Sequence, residues 1–326
     1  MKITVIDDYQ DAFRRVSGFA RLAGHEIAIY NDTLKDSARL AERLQDAECL
    51  LLTQQRSWFR RPLLEALPKL RLISQTGRVT AHIDLKACTE RGVMVCAGGK
   101  GRPHSTAELA WALILASLRH VPEEVYGLRQ GGWQSTLGFD LFGKTLGIYA
   151  LGGIGSIVAH VGQAFGMRVL CWGRGASLER ARSAGYEVAA GREEFFAESD
   201  IVSLHLPMVR ETRGIITRAD LARMKPSALL VNTSRAKLIE DGALVDALQA
   251  GRPGFAAVDV YEDEPIVNAD HPLLKLDNAL CTPHLGFVTA ETYEIHYDLA
   301  VEQILAYVDG KPIHVANPEV LQRERD

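Results

Sequence analysis

Three short segments carry residues that can handle a carboxylate and a proton: VNTSRA over 231–236, AVDVYEDEP over 257–265 and CTPHLG over 281–286. Arg235 offers a planar fork that matches the two oxygens of a carboxylate, and its charge polarises a ketone bound beside it. His284 can protonate an oxygen that is gaining charge and recover the proton in reverse. Glu264, bonded to the other ring nitrogen, would fix the tautomer and stabilise the imidazolium. Each residue also has a plainer reading. Pro283-His284 could be a turn, Glu262-Asp263-Glu264 a solvated loop, and Arg235 the partner of any carboxylate. Position favours the chemistry, because all three segments end predicted strands, and ligands of open α/β sheets gather at the carboxyl ends of strands.

Upstream lies a glycine-rich turn, Gly147-Ile-Tyr-Ala-Leu-Gly-Gly-Ile-Gly155, between a predicted strand over 145–151 and a predicted helix over 153–165. That context turns a glycine turn into a dinucleotide site. Backbone N–H groups at the helix start, and the helix dipole, would face a pyrophosphate. Gly152 would admit the phosphate closely, and Gly155 would let the helix pack on the strand. Ala150 stands where the pattern has its first glycine. The acidic residue expected about 20 positions on is missing. The next strand ends Leu170-Cys-Trp-Gly-Arg174, so Gly173 occupies that place and Arg174 follows. An open glycine with a guanidinium suits a ribose 2′-phosphate, so NADP is favoured over NAD, unless Arg174 is solvated and only stacks on adenine.

Elements must bring these segments together. Strands are read at 2–6, 26–30, 50–53, 72–75 and 93–96, then at 168–172, 201–204, 228–232, 254–260 and 279–281, with helical stretches between most of them. Parallel pairing follows from such crossovers. The expected fold is α/β with two doubly wound parallel sheets: a Rossmann-type cofactor domain over 103–287 and a flavodoxin-like, discontinuous substrate domain over 1–102 and 288–326. The substrate would be held in a cleft between them that closes and excludes water. Between the domains, GGKGRP over 98–103 breaks the pattern. A helix is expected to open at Ser105, with Glu108 at capping-box spacing. Over 108–118 it is apolar on nearly every side, which predicts burial all round. With the arm containing Trp133 it is expected to form a homodimer interface. A helix is read over 290–308, and the tail 322–326 is expected to fray.

Bulk properties narrow the classes. The 326 residues suggest two domains, and 47% hydrophobic with 24% charged residues is an ordinary globular balance. A net charge of −4 argues against a nucleic-acid partner. No signal-like N-terminus and no apolar run of membrane-spanning length is found, so a cytoplasmic location is expected. The five cysteines, Cys49, Cys88, Cys96, Cys171 and Cys281, form no CxxC pair and read as small buried hydrophobes, with no metal site.

The segments LGGIGSIVA, HLPMVRET, MKPSALLVNTSRA, AAVDVYEDEP and TPHLG together resemble the D-isomer-specific 2-hydroxyacid dehydrogenase family over nearly the whole chain. The resemblance implies hydride transfer between NAD(P)H and a small anionic 2-keto or 2-hydroxy acid, D-stereospecific and without metal. It implies Arg235 as substrate binder, Glu264 as the residue that orients the histidine and His284 as acid/base. It places Gly152, Gly153 and Ile154 at the pyrophosphate and Leu206 and Pro207 at the adenine side. Thr212, Thr233, Ser234 and Gly286 would lie along the cofactor, with Asp259 at the carboxamide. In the substrate domain, Gly77 sits in a turn, Gln75-Thr-Gly-Arg-Val-Thr80, whose N–H groups would meet the substrate carboxylate. Arg78 is an added cation there, and Lys100 and Arg102 make the expected entrance basic. This suggests a second anionic group on the substrate. Formate oxidation is disfavoured, because formate enzymes carry glutamine where Glu264 stands. A nucleotide-sensing corepressor is the alternative from another class.

Overall fold

The computed structural model describes residues 1–99 and 101–323. Lys100, expected at the basic entrance, and tail residues 324–326 lie outside the described residues. The chain divides into two compact units, one joining Met1–Gly101 to Thr289–Asp326 and the other comprising Arg102–Val288.

In the first unit, β1 (Lys2–Ile6), β2 (Glu26–Ile29), β3 (Cys49–Leu52), β4 (Leu72–Thr76) and β5 (Met94–Gly98) form a parallel sheet in the order β2-β1-β3-β4-β5. This is the flavodoxin-like order. β3 is buried at all four positions, as expected of a strand covered on both faces. Helices Ser37–Leu44 and Leu85–Glu90 start where Asp36 and Asp84 accept N–H bonds from Arg39 and Ala87. Helix Ala290–Val308 packs on β4, where the Ser74 hydroxyl donates to the Ala300 carbonyl at 3.1 Å and to Gln303 Oε1 at 2.7 Å. Gln322 and Arg323, expected to fray, close a short helix, Val320–Arg323.

The second unit holds β6 (Thr145–Tyr149), β7 (Arg168–Trp172), β8 (Glu187–Val188), β9 (Ile201–Leu204), β10 (Leu229–Asn232), β11 (Phe255–Val258) and β12 (Ala279–Cys281). All pair in parallel, in the order β12-β11-β10-β9-β6-β7-β8. Leu229 and Val231 face one core with Ile114 and Leu146, while Leu230 faces another with Phe195 and Phe196. The order reverses between β6 and β9, which places a crevice at their carboxyl ends. β8 was not foreseen. It is two residues long, and its Glu-Val alternation is too short to read as a period.

The expected start of the helix after β5 is corrected. It runs Pro103–Leu118 with Arg102 at the cap position, so Ser105 lies inside it and donates to the Arg102 carbonyl at 3.2 Å. Proline at the first position, with φ preset for a helix, defines the start without a side-chain cap. Within one chain the helix keeps an open face, on the side expected to meet a second copy. Leu115 is 38% exposed and continues into exposed Val121, Val125, Leu128 and Trp133. The cysteines are free; burial pushes the Cys88 and Cys171 thiols up to about 12 and Cys96 to about 11, so they act as packing groups.

Candidate active site

The proposed acid/base residues stand at the ends of two neighbouring strands. Six residues past β11, Glu264 turns back so that its Oε1 accepts the Tyr261 N–H at 2.8 Å. Its Oε2 meets His284 Nδ1 at 2.5 Å. His284, three residues past β12, has φ 53°, a left-handed conformation that a non-glycine residue holds only when its surroundings impose it. The imposing group is Asp259, one residue past β11 and fully buried. Its Oδ1 accepts the Thr282 hydroxyl at 2.6 Å and the Leu285 N–H at 2.7 Å, and its Oδ2 accepts the Gly286 N–H at 2.9 Å. The segment 282–286 is thus wrapped around one carboxylate. Burial, the largest influence, pushes the Asp259 carboxyl above the ordinary range, against the three hydrogen bonds and the nearby His284. Asp259, expected at the cofactor carboxamide, bonds the loop that bears His284 through both oxygens, with two of the three bonds on Oδ1 and one on Oδ2. Gly286 is likewise internal, its carbonyl accepting the Thr106 hydroxyl at 2.9 Å.

Arg235 follows β10, the strand beside β11, and is exposed, with Nη1 donating to the Ser234 carbonyl at 2.7 Å. Its turn is set by Asn232, which sequence reasoning did not single out. The buried Asn232 carboxamide accepts the Ser234 N–H at 3.0 Å and donates to the Arg235 carbonyl at 2.9 Å. An asparagine at a strand end has this turn-forming habit, which was the available signal. The Ser234 hydroxyl bonds the Leu206 carbonyl at 2.5 Å, tying the ends of β10 and β9. Thr233 is buried, and its hydroxyl finds no hydrogen-bond partner. Leu206 is buried and Pro207 exposed. Thr212 is 2% exposed, and its hydroxyl is shared between the Pro207 carbonyl at 2.7 Å and the Val209 N–H at 2.9 Å, so it braces that loop from within.

The glycine turn fits a dinucleotide. Helix Gly153–Ala164 begins after Gly152, and a Cβ on Gly152 would meet nothing within 4 Å. A Cβ on Gly155 would lie 2.7 Å from the Ala150 carbonyl oxygen, so only glycine lets the helix sit this close to β6. Ala150 adopts φ 74°, the conformation usually left to glycine. The Gly152 N–H is already bonded to the Ala150 carbonyl at 2.9 Å. Those of Gly153 and Ile154, in the first helical turn, have no intrahelical acceptor and are the groups that could hold a pyrophosphate. Two residues missed by sequence reasoning pin this turn: Ser177 Oγ accepts the Leu151 N–H at 2.6 Å, and Arg180 Nε donates to the Leu151 carbonyl at 2.6 Å. Gly173 has φ 156°, and Arg174 is exposed at the cap position of helix Gly175–Ser183.

In the first unit, Gly77 (φ 87°) and exposed Arg78 follow β4. The turn is anchored by buried Gln75, which donates to the Gln54 carbonyl at 3.0 Å and the Thr76 carbonyl at 2.7 Å and pairs with His82 Nε2 at 3.2 Å. Arg102, in the second unit, is exposed. Among the described residues there is no group of three or more potential metal ligands, and no helix is long and apolar enough to cross a membrane.

A reversing parallel sheet, a glycine turn open to a pyrophosphate and a His–Glu pair on a strand end define a nucleotide-linked oxidoreductase. Residues 111–286 match the model of the NAD-binding domain of D-isomer-specific 2-hydroxyacid dehydrogenases, and the chain belongs to that family. It is an enzyme of the NAD-dependent kind that acts on CH–OH donors. It is 39% identical over 270 residues to a glyoxylate reductase of Aeropyrum pernix, covering 80% of each chain. It is 36% identical to a D-3-phosphoglycerate dehydrogenase of Methanocaldococcus jannaschii, covering 83% of this chain and 52% of that one, so it spans about half of that relative. A solved phosphoglycerate oxidoreductase from Vibrio cholerae superposes with a TM-score of 0.91 at 47% identity, covering 95% of this chain and 99% of that one.

Proposed function

We propose that the chain interconverts a small anionic 2-keto acid and its D-2-hydroxy acid, with His284 as acid/base, Glu264 orienting it and Arg235 binding and polarising the substrate. The carrying observation is the 2.5 Å contact between His284 Nδ1 and Glu264 Oε2. It leaves Nε2 for the substrate oxygen and places a carboxylate where it stabilises the imidazolium. Bound nicotinamide supplies or accepts the hydride. Arg235 would fork the carboxylate beside the reacting carbon, and His284 Nε2 would give its proton to the keto oxygen or take it from the alcohol. Gly153 and Ile154 are assigned to the pyrophosphate, with Leu206 and Pro207 beside the adenine.

Glyoxylate and hydroxypyruvate reduction, with each nucleotide, tests this. Glu264→Gln and His284→Asn should lower kcat by about 10²–10⁴-fold while nucleotide affinity stays within about twofold. Arg235→Ala should act mainly on kcat/KM. Full turnover by the His284 variant would refute the assignment. Two finer readings extend it. Gly173 and exposed Arg174 favour NADP, and a lower KM for NADH than for NADPH would defeat that preference. Arg78 reads a second anion on the substrate, so Arg78→Ala should raise KM for a dianionic keto acid far more than for glyoxylate.

A further inference from the structure

The catalytic glutamate sits on a loop whose base is closed by a second glutamate–histidine pair. Glu262 Oε2 meets His271 Nε2 at 2.9 Å, nine positions along the chain. His271 Nδ1 accepts the Leu273 N–H at 3.3 Å, which leaves the ring proton on Nε2, facing Glu262. The His271 ring also stands edge-on to Tyr261, with centroids 5.0 Å apart. Tyr261 in turn donates its N–H to Glu264 and its hydroxyl to the Thr282 carbonyl at 2.9 Å. Between the closing residues Ile266 packs on the core and the Asp270 N–H bonds the Val267 carbonyl at 3.1 Å, while the tip of the loop is exposed. Val267 is 49% exposed, and Asn268 and Ala269 both take left-handed φ values, 56° and 54°. Glu262 and Glu264 lie on either side of exposed Asp263, so one short strip of chain faces two histidines.

We propose that Glu262 and His271 form a clasp that positions Glu264 against His284, so that His271 is a positioning residue for proton transfer although it touches no reacting atom. The inference rests on the acid/base reading above. A loop that carries such a carboxylate and then runs out through exposed residues 267–270 needs its ends fixed, because an ångström of misplacement at a reacting group is worth orders of magnitude in rate. The clasp does this twice, through Glu262 directly and through the edge-on contact with Tyr261.

The two ring nitrogens have separable jobs, which gives a clean test on the full-length enzyme reducing glyoxylate. Asn in place of His271 keeps an acceptor near the Nδ1 position for the Leu273 N–H but has no donor reaching Glu262. Gln keeps a donor near Nε2 and gives up the acceptor. We expect His271→Asn and Glu262→Ala to lower kcat about tenfold, with keto-acid KM within about twofold. The pH profile of reduction should change with the rate, because the carboxylate is held less firmly against the acid/base imidazole. Glu262→Gln and His271→Gln, which preserve the donor–acceptor pair, should restore most of the rate. Melting temperatures separate this from simple unfolding. Wild-type kcat and pH profile in both His271→Asn and Glu262→Ala overturn the clasp, as does a rate loss that follows the unfolded fraction. Glu264→Gln and His284→Asn run alongside: if they keep full turnover, the acid/base reading itself fails. If they are inactive while the clasp variants are unaffected, only the clasp fails.

Discussion

Replacing Gly155 with alanine tests the packing of the nucleotide turn. The added Cβ would lie 2.7 Å from the Ala150 carbonyl oxygen, 3.2 Å from Ile148 Cγ2 and 3.3 Å from His205 Cδ2. All three belong to the ends of β6 and β9, so the methyl can be accommodated only by lifting the helix start away from the sheet, by roughly half an ångström. Ala150 cannot yield instead, since it already holds φ 74° and its carbonyl is bonded to the Gly152 N–H. Overpacking of this kind costs about 1–3 kcal/mol, and alanine recovers up to about 1 kcal/mol of helix propensity. The net loss of about 1–2 kcal/mol corresponds to a fall in Tm of about 2–8 °C for a unit of this size. Cofactor binding should suffer more than stability. Displacing the first-turn N–H groups from a phosphate loses about one charge-assisted hydrogen bond, 1.5–3 kcal/mol, or about 10- to 100-fold in Kd. Scanning calorimetry of the free protein and titration calorimetry with NADH measure the two effects. Gly175→Ala is the control, because a Cβ there meets nothing within 4 Å. An unchanged Tm and an unchanged NADH Kd for Gly155→Ala would refute the close-packing argument.

Asp259→Asn should destabilise the protein by about 2 kcal/mol and depress kcat. An amide relieves some of the burial penalty, but it turns an N–H donor towards a loop that offers two backbone N–H groups and a hydroxyl. Urea midpoints and kcat check this, and a stability change under about 0.5 kcal/mol would count against it. His82 is 1% exposed, its Nδ1 has no hydrogen-bond partner, and burial lowers its pKa to about 4. Its contribution to stability is therefore complete above the unfolded value near 6.5 and is lost as pH falls towards 4. By pH 5 the loss is about 2 kcal/mol, and His82→Gln should remove that part of the difference between urea midpoints at pH 7 and pH 5. The exposed face of Leu115, Val121, Val125, Leu128 and Trp133 is proposed to pair with a second copy of the chain. Leu128→Glu should then halve the mass measured by sedimentation, and a monomeric wild type would dismiss the pairing.

What could be read from the sequence, and what could not, divides by the range of the interactions involved. β3 and β10 are legible because a strand covered on both faces must be apolar throughout, and that signal is local. The turn at Gly152 and the segments bearing Arg235, Glu264 and His284 are legible because each is punctuated by residues that end strands. The start of helix Pro103–Leu118 was misplaced by three residues because Ser105 and Glu108 mimic a capping box, while the decisive residue was a proline whose fixed φ needs no cap. Which of its faces stays open within one chain could not be located in advance, because composition reports how apolar a helix is, and not what covers it.

The internal duties of Asp259, Thr212 and Ser234 were out of reach for a different reason. A polar residue at a strand end looks the same whether it turns towards a ligand or towards its own loop, and only the positions of neighbouring N–H groups decide between these. Asp259 shows how much rests on that choice. Three donors converge on it from a segment more than 20 positions away in sequence, and that convergence holds His284 in a left-handed conformation it would not keep alone. The same holds for Glu262 and His271, which no periodicity connects. In this site the residues that would do chemistry announce themselves by type, and those that aim them are visible only through the bonds they make. Substitutions in this second group should therefore act on rate and pH dependence before they act on binding.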